Sequence, residues 1–310
     1  MITPKHLIEN ANKYPDKPAL SFKDESGNWV ENSWEEFYNT TKTISKSLIA
    51  CGINKNDKVS IYSYNRKEWV ECYAALQFIN ASAVGVYHTC SSPEVDWIVN
   101  NSNSKIIFVG NNPGDNGEKD KMPIHRLNKI IDNLNNVELI VLMDNVDEIV
   151  NDKVVTWDQF LEKGKNVDEA QISNRLDGIN DNDTASIIYT SGTTGNPKGV
   201  ELTYNNFNFE LDCLLSFLAY DQGEKFISWL PGAHVFGQAL DNHYWIRTAM
   251  HMYIADNPLN TVDIAKVIQP HLFISVPRVY EKVYSNLKSA IDSKAILKYG
   301  LKIPLSLIHI

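Results

Sequence analysis

The twelve residues from Tyr189 to Val200 constrain this chain more than any other stretch of the sequence. They read Tyr-Thr-Ser-Gly-Thr-Thr-Gly-Asn-Pro-Lys-Gly-Val, which places four Ser or Thr side chains, three glycines and one lysine close together. An apolar, β-branched run over 185–189 precedes the segment, and a second strand is predicted over 200–202. Glycines allow positive φ angles and let successive N–H groups point into one concavity that suits an anion. The segment therefore predicts a loop that binds a polyphosphate.

Two other interpretations of this segment fit less well. A hairpin turn is the usual meaning of Gly-, Ser- and Thr-rich composition, but a turn does not need so many hydroxyl groups or a lysine. The Walker loop has the pattern Gly-x-x-x-x-Gly-Lys-Ser/Thr. Here Pro197 stands at the second glycine position and Gly199 follows Lys198. No helix is predicted to begin at the lysine, so this is a different phosphate loop.

Strands and helices alternate along the first half of the chain. The predicted strands of this region span residues 59–63, 83–87, 105–109 and 138–143. Ser33 with Glu36 and Thr156 with Gln159 predict capping boxes at two helix starts, and Asn65 is predicted to cap a third helix. Alternation at this spacing predicts an α/β fold with mostly parallel, doubly wound sheets flanked by helices.

The chain after the phosphate loop continues this alternation. A helix is predicted over 204–220, and further helices are predicted to begin near Val235, Thr261 and Arg278. The predicted strands that alternate with them span residues 226–230, 250–254 and 271–276.

Several polar segments follow predicted strand ends, where open α/β sheets bind their ligands. The phosphate loop is one of them, and the others are His88-Thr89, the segment 231–236 and Pro277-Arg278. Because the carboxyl ends of parallel strands share one edge of a sheet, we expect these loops to meet at one crevice.

His234 is the histidine that this position favours for a functional role. It lies between Gly232 and Gly237, where the backbone is expected to approach a ligand closely. His88 is interpreted as structural. Arg278 either binds a carboxylate or phosphate through its paired donors or is a solvated surface charge, and both readings stay open.

Composition excludes several classes of protein. A hydrophobic content of 43% and a charged content of 22% are ordinary for a globular chain. The formal net charge of −9 argues against a nucleic-acid partner. Four widely spaced cysteines without a Cys-x-x-Cys pair indicate reduced thiols rather than disulfides or zinc. No secretory signal or spanning segment is recognised, which predicts a soluble, cytoplasmic protein.

The phosphate loop resembles the signature loop of the AMP-forming acyl-adenylating enzymes, which include acyl-CoA synthetases, firefly luciferase and the adenylation domains of peptide synthetases. Three flanking segments are similar to the long-chain fatty acyl-CoA synthetase branch. They are Tyr14-Pro-Asp-Lys-Pro-Ala-Leu20, Ser228-Trp-Leu-Pro-Gly-Ala-His-Val-Phe-Gly237 and Val276-Pro-Arg-Val-Tyr-Glu-Lys-Val-Tyr284. The similarity extends from about Tyr14 to about Pro304. The loop is specific to the superfamily and the flanks moderately specific to the branch.

This resemblance implies a long-chain fatty acid–CoA ligase with two half-reactions. A fatty carboxylate attacks the α-phosphorus of ATP and pyrophosphate leaves; the thiol of CoA then attacks the acyl carbon and AMP leaves. The implied partners are a fatty acid, ATP and CoA, with Mg²⁺ as the metal. Peripheral contact with a membrane stays open because enzymes of this branch handle lipid.

The resemblance also implies roles for particular residues. Those expected to bind the phosphates of ATP are Thr190, Ser191, Gly192, Thr193, Thr194, Gly195 and Lys198. Thr190 is expected to position Mg²⁺, and Lys198 and His234 are expected to act in catalysis. His234, Val235 and Phe236 match the family's His-x-Phe segment between the adenylate and the acyl pocket, so they are expected to contact substrate. Trp229, Tyr244 and Trp245 either line an acyl tunnel or belong to the core, the commoner place for large aromatics.

The sequence departs from the family most clearly in length. Members of the family are much longer and carry a second, C-terminal domain, whose catalytic lysine has no counterpart here. Residues 1–304 are therefore predicted to be an incomplete N-terminal AMP-binding (adenylation) domain, and the chain alone is expected to be inactive. Residues 305–310 are predicted to be a non-native tail, with a genuine apolar strand as the alternative.

Smaller departures leave other functions open. Tyr204 stands where the family often has histidine, and Gly232 where a larger apolar residue is usual. One alternative function is adenylation of a different acid, although no carboxylate can be assigned to an amino-acid ammonium group. Another is binding of a nucleotide or acyl chain without turnover.

Overall fold

The computed structural model describes residues 1–111, 121–144, 149, 151–190, 195–255, 257 and 260–293. The chain divides into two compact units, the first from Met1 to Leu272 and the second from Phe273 onward. The tail predicted at 305–310 lies outside the described residues, so the boundary at residue 304 stays a prediction.

Strands and helices alternate through most of the first unit. The strands are β1 (Pro18–Lys23), β2 (Trp29–Ser33), β3 (Lys58–Ser63), β4 (Ser82–Tyr87), β5 (Ser104–Gly110), β6 (Leu139–Leu142), β7 (Val154–Thr156), β8 (Thr184–Thr190), β9 (Lys198–Thr203), β10 (Lys225–Ser228) and β11 (His251–Ile254). The helices are α1 (Thr3–Lys13), α2 (Trp34–Ala50), α3 (Lys67–Phe78), α4 (Ser92–Ser102), α5 (Pro123–Asn128), α6 (Trp157–Lys163), α7 (Ala170–Asp177), α8 (Tyr204–Leu215), α9 (Val235–Gln238), α10 (Trp245–Thr248), α11 (Thr261–Ile268) and, in the second unit, α12 (Pro277–Ser293). A 3-10 turn covers Ile131–Asn133, and a π-helical stretch, Ala239–Tyr244, joins α9 to α10.

The strands form two mixed sheets. The larger has the order β7-β6-β5-β3-β4-β8-β9, in which every pair is parallel except β8 with β9. The smaller has the order β10-β11-β1-β2, in which only β1 and β2 are antiparallel. The α/β class and the mostly parallel sheets predicted from the sequence are confirmed.

Both faces of the central strands of the larger sheet are buried. Along β5, Ile107 and Val109 join a cluster with residues of α4 and α5, while Ile106 and Phe108 join a second cluster with residues of α2, α3 and α6. Successive strand residues point to opposite faces, so a strand covered on both sides reads as a continuous apolar run. This is the reason that these strands are recognisable in the sequence.

Local capping signals are confirmed, with one exception. Ser33 and Thr156 form the predicted capping boxes with Glu36 and Gln159. Asn65 was predicted to cap α3 and does not. Arg66 occupies the N-cap position, and its side chain makes no capping hydrogen bond to the helix backbone. The Asn65 amide instead donates to the Leu230 carbonyl at 2.6 Å, and its oxygen accepts from the Gly232 N–H at 2.9 Å. The Asn65 side chain therefore bonds to backbone groups that are distant in the sequence, and not to the start of α3.

Two predicted elements near the end of the first unit are wrong in extent. Residues 271–276 form no strand but a single bridge between Leu272 and Phe226. Pairing stops there because the N–H groups of His271 and Leu272 both bond to the Lys225 carbonyl. Helix α8 ends at Leu215 rather than at residue 220, in a turn where the Leu218 N–H bonds to the Leu214 carbonyl.

The large aromatics of α10 and its π-helical neighbour pack inside the first unit. Trp245 is fully buried and stacks on Trp34 with ring centroids 4.9 Å apart. The Tyr244 hydroxyl donates to the Leu218 carbonyl at 2.5 Å. These contacts place Tyr244 and Trp245 in the core.

A buried histidine joins three helices to the π-helical stretch. The hydroxyl of Thr3 lies 2.6 Å from Nδ1 of His243, and the hydroxyl of Tyr73 lies 2.8 Å from Nε2. The ring also stacks on Phe207 at 4.0 Å. Burial lowers the pKa of His243 to about 3, so the ring stays neutral. One of its two nitrogens therefore donates a hydrogen bond and the other accepts one.

Asp241 has the opposite response to burial. Burial raises the pKa of its carboxyl to about 8, and the Ser228 hydroxyl donates to Oδ2 at 2.6 Å. Between the ordinary pKa of an aspartate and this raised value, the folded chain holds a proton that the unfolded chain releases. The free energy of unfolding therefore falls as pH rises through this window.

We expect Asp241→Asn to flatten the decrease in stability between pH 6.5 and 8. An amide mimics the protonated carboxyl, so the variant should escape a loss of up to about 1.4 kcal/mol per pH unit. His243 does not act in this window because its unfolded pKa lies near 6.5. Urea unfolding of both proteins across these pH values measures the slopes, and equal slopes would contradict the assignment.

Candidate active site

The described part of the phosphate loop is the end of a β hairpin. Thr190 at the end of β8 lies directly opposite Lys198 at the start of β9. Side chains of directly paired antiparallel residues share one face of the sheet, and both of these are exposed. Gly199 pairs with Tyr189, and a Cβ at Gly199 would lie 3.1 Å from Cζ of the tyrosine ring. The glycine thus lets the ring of Tyr189 lie across β9.

Among the remaining residues of the phosphate loop, the structure describes Gly195 but not residues 191–194. Gly195 has a φ of 99°, a left-handed conformation that L side chains adopt only with strain. This is the conformational freedom that the glycine-rich sequence predicts. Ser191, Gly192, Thr193 and Thr194, predicted to bind phosphate, lie outside the described residues.

The segment that carries His234 lies against strand β4 because of Gly85. A Cβ at Gly85 would lie only 2.7 Å from Cα of Ala233. Gly232 and Gly237, which the sequence suggested would approach a ligand, approach protein instead. A Cβ at Gly232 would meet the Trp69 ring at 2.8 Å, and one at Gly237 would meet the Pro231 carbonyl oxygen at 2.4 Å. These glycines pack the segment, and Trp69 fills the space of a larger residue at position 232.

His234 is oriented by its own helix. It stands at the N-cap of α9, where its Nδ1 accepts a hydrogen bond from the Phe236 N–H at 3.1 Å. In the neutral ring the proton is therefore on Nε2, which remains a donor. The ring is exposed and meets the ring of Tyr87 edge-on, with centroids 6.4 Å apart.

Three of the predicted loops meet in one cleft of about 400 Å³. The residues that line it are Tyr87, Thr89, Cys90, Glu94, Ile98, Ile188, Tyr189, Thr190, Pro197, His234 and Val235. They come from the carboxyl ends of β4 and β8 in the larger sheet, as the strand-end rule predicts, and also from the loop after β10 of the smaller sheet, from α4 and from the residue before β9. Arg278, at the fourth loop, belongs to the second unit.

The predicted site residues are not all part of this cleft. Thr190, His234 and Val235 line it. Phe236 is half-buried behind His234, and Lys198 is the cross-strand neighbour of Thr190; neither is among the lining residues. The structure thus brings the loop and the His-x-Phe segment to one place, and their roles remain predictions.

Sequence reasoning missed the side of the cleft that α4 provides. Glu94 and Ile98 of this helix line it, together with Cys90 just before the helix. Hydrogen bonds from the Ser91 N–H and hydroxyl lower the pKa of Glu94, while burial and Glu94 raise the pKa of the Cys90 thiol to about 11. The signal was present in the sequence, because Ser91-Ser-Pro-Glu94 is a capping box directly after a strand.

The loop before α4 is held from the opposite side. The guanidinium of Arg126 donates to the carbonyls of His88 and Cys90, at 3.1 and 2.9 Å. The ring of His88 stacks on Tyr64 at 3.9 Å, so the structural interpretation of His88 agrees with its surroundings.

The oxygen atoms of the cleft suit a hard cation that arrives with phosphate. Thr190 offers a hydroxyl and Glu94 a carboxylate, and Mg²⁺ is usually bound by one or two carboxylates together with substrate phosphates. Within the described ranges, no group of three or more His, Cys, Asp or Glu side chains could hold a metal by itself. A magnesium ion here would take most of its ligands from the nucleotide and from water.

Comparison with known proteins identifies the family. The profile of the AMP-binding enzymes matches residues 7–305. The chain belongs to the AMP-binding enzyme family. The glycine-rich hairpin and its cleft lie within the matched residues.

Curated relatives of this AMP-binding enzyme are distant and longer. The long-chain-fatty-acid–CoA ligase ACSBG2 of Xenopus laevis is 26% identical over 297 residues, covering 94% of this chain and 39% of the relative. The long-chain-fatty-acid–CoA ligase FadD15 of Mycobacterium bovis is 28% identical over 261 residues, covering 84% and 41%. The chain thus spans about 40% of the length of these relatives.

Solved structures share the fold at lower identity. The inhibitor-bound N-terminal domain of FACL13 from Mycobacterium tuberculosis has a TM-score of 0.71 at 18% identity, covering 90% of this chain and 63% of that one. The o-succinylbenzoate CoA synthetase MenE from Bacillus subtilis, bound to its acyl-adenylate, has a TM-score of 0.67 at 19% identity, covering 91% and 50%. The likeness supports the α/β architecture. In the part of the AMP-binding enzyme that the structure describes, no helix has the length and apolar character of a membrane span.

Proposed function

We propose that the protein is an AMP-forming ligase that activates a long-chain fatty acid with ATP and transfers the acyl group to CoA. The observation that carries this proposal is the cleft in which Thr190, at the glycine-rich hairpin, faces the same space as His234 and Val235. Membership of the AMP-binding enzyme family supports the nucleotide chemistry. The relatives named long-chain-fatty-acid–CoA ligases support the choice of acid.

The residues of the hairpin would stabilise the charge that develops on the phosphates. In the first half-reaction the carboxylate oxygen forms a bond to the α-phosphorus while the bond to pyrophosphate breaks, and charge spreads over the leaving phosphates. Preorganised donors and cations stabilise such charge best. Thr190, Lys198 and the backbone near Gly195 would supply them, and Mg²⁺ bound to the phosphates would add further positive charge.

His234 would orient the adenylate and the carboxylate. Its Nδ1 is engaged by the Phe236 N–H, so that Nε2–H is the atom left to donate to an oxygen of the substrate. Val235 presents an apolar side chain beside it, exposed by 41% and lining the cleft. Together they would place a polar donor and an apolar wall at the junction between nucleotide and acyl chain.

The chain as a whole would form part of the nucleotide-binding domain. We propose that residues 1–304 belong to an N-terminal AMP-binding (adenylation) domain, supported by the family match over 7–305 and by the likeness to the N-terminal domain of FACL13. ATP, a fatty acid and CoA are the proposed partners.

Pyrophosphate–ATP exchange in the whole gene product tests this function. Palmitate should stimulate exchange more than benzoate or an amino acid, and CoA should then yield the thioester. His234→Ala should lower kcat by about tenfold or more, the scale of one lost polar contact at the reacting group. His125→Ala, on α5 and outside the cleft, is the control. Pyrophosphate–ATP exchange that requires no carboxylic acid would refute the ligase proposal. An unchanged kcat in His234→Ala would show that His234 has a structural role only.

A further inference from the structure

Helix α4 presents one continuous stripe of side chains to the phosphate hairpin. Glu94, Trp97, Ile98 and Asn101 are spaced i, i+3, i+4 and i+7, which places them on one face of a helix. Glu94 and Ile98 line the cleft. The other two form hydrogen bonds with the hairpin: Asn101 with β8, and Trp97 with the residue directly before β9.

These two bonds hold the hairpin on both sides of its loop. The indole Nε1–H of Trp97 donates to the Pro197 carbonyl at 2.9 Å, directly before Lys198. The hydroxyl of Tyr189 donates to Oδ1 of Asn101 at 2.7 Å, directly before Thr190. One turn of α4 thus contacts the strand that enters the loop and the residue directly before the strand that leaves it.

The outer strand of the hairpin lies at an edge of the larger sheet. Strand β9 is the last in the order of the larger sheet, and Lys198 to Glu201 are exposed. An edge strand with exposed side chains is held mainly by its backbone bonds to one neighbour. The hydrogen bond from Trp97 to the Pro197 carbonyl therefore fixes the backbone directly before Lys198.

We propose that Trp97 and Asn101 are positioning residues that set Thr190 and Lys198 for the phosphates of ATP. The proposal rests on the proposed function, because it names what aligns the same site. Neither residue touches the nucleotide; each acts through the hairpin. Trp97 fixes the peptide before the lysine, and Asn101 fixes the tyrosine before the threonine.

A merely structural role would give a different pattern of effects. If the bonds served only to stabilise the fold, their loss would lower the free energy of unfolding and leave nucleotide affinity unchanged. A positioning role lowers affinity for ATP while the stability changes little, and it loosens the backbone of residues 195–198. Affinity and local amide exchange therefore separate the two roles.

The test measures Mg·ATP binding to the whole gene product by calorimetry and hydrogen exchange at the backbone amides of Gly195, Asn196 and Lys198. Trp97→Phe keeps the ring and removes the donor, and it should weaken binding by roughly three- to tenfold, the scale of one hydrogen bond. It should also speed exchange at these amides. Trp157→Phe is the matched control and should change neither, because Trp157 on α6 packs against Phe108 of β5 and Phe160 of its own helix.

A double-mutant cycle tests the second bond. Tyr189→Phe and Asn101→Ala each remove one partner, so the double variant should bind Mg·ATP no more weakly than either single variant. Additive losses would refute the bond as their shared cause, and wild-type exchange and binding in Trp97→Phe would overturn the proposal. If the wild-type gene product binds no ATP while Trp97→Phe still speeds exchange at the amides of Gly195, Asn196 and Lys198, the nucleotide assignment fails and the anchoring of the hairpin stands.

Discussion

Replacing Lys198 with alanine is expected to slow adenylate formation by about 10²–10³-fold, the cost of removing one electrostatic group aimed at developing charge. The ammonium group lies on the same face as Thr190, at the end of the hairpin, and makes no ion pair within the described ranges. Its removal therefore leaves no buried partner unpaired, and the free energy of unfolding should stay within about 0.5 kcal/mol of the wild-type value. Pyrophosphate–ATP exchange in the whole gene product measures the rate.

Two further variants make this expectation specific. Lys198→Arg keeps the charge and should recover part of the rate, although its planar group differs in geometry from an ammonium. Lys165→Ala removes an exposed lysine that pairs with Glu162 on α6, and it should leave exchange unchanged. Thr193→Ala, in the part of the loop outside the described residues, is predicted from sequence to lower exchange as well. Wild-type exchange in Lys198→Ala would refute the role of the lysine.

Features set by neighbouring residues were predictable from the sequence. The capping boxes at Ser33 and Thr156 depend on a partner three residues away, and both form. The apolar runs of the central strands depend on burial from both faces, which any parallel sheet imposes. The meeting of the loops after β4 and β8 at one edge follows from strand direction, because both strands belong to the larger sheet, whereas the loop after β10 leaves the smaller sheet. Each of these inferences needs no knowledge of distant contacts.

Features set by distant residues were not predictable in this way. Asn65 has the sequence of a helix cap, yet it bonds to the backbone of Leu230 and Gly232. Residues 271–276 have the composition of a strand, yet pairing ends after Leu272. The clearest case at the site is α4, whose indole and amide reach residues about 90 to 100 positions later in the chain. Such contacts become visible only when the fold has brought the segments together.

The glycines near His234 have a packing role that the sequence did not predict. Gly232 and Gly237 were expected to let the backbone approach a ligand, which stays a prediction, and a Cβ at these positions would collide with Trp69 and with the Pro231 carbonyl. Gly85, which no motif marks, proves more important to the site. It lies on β4 between β3 and β8, and the His234 segment crosses it at a distance that no side chain allows.

Gly85→Ala adds only one methyl group, but it should displace the segment that carries His234. The new Cβ would lie 2.7 Å from Cα of Ala233 and 3.2 Å from Nε2 of Gln238. Strand β4 is hydrogen-bonded on both sides, by β3 and by β8. The strand is therefore less free to move than the segment that contains Ala233. The segment before α9 would be displaced outward, and His234 would move with it. Overpacking of this kind costs about 1–3 kcal/mol of stability.

The expected kinetic effect of Gly85→Ala is a fall of about 10²-fold in pyrophosphate–ATP exchange, the usual result of a displacement near 1 Å at a reacting group. Urea unfolding measures the loss of stability, and exchange is compared at a temperature where both proteins are folded by circular dichroism. Gly178→Ala is the matched control, because a Cβ there would meet its nearest atoms at 3.5 Å, an ordinary contact, and the position is outside the cleft. A Gly85→Ala protein that loses stability and keeps its exchange rate would mean that the position of His234 does not limit catalysis. One that keeps both would mean that the segment and the strand are farther apart than the described contact.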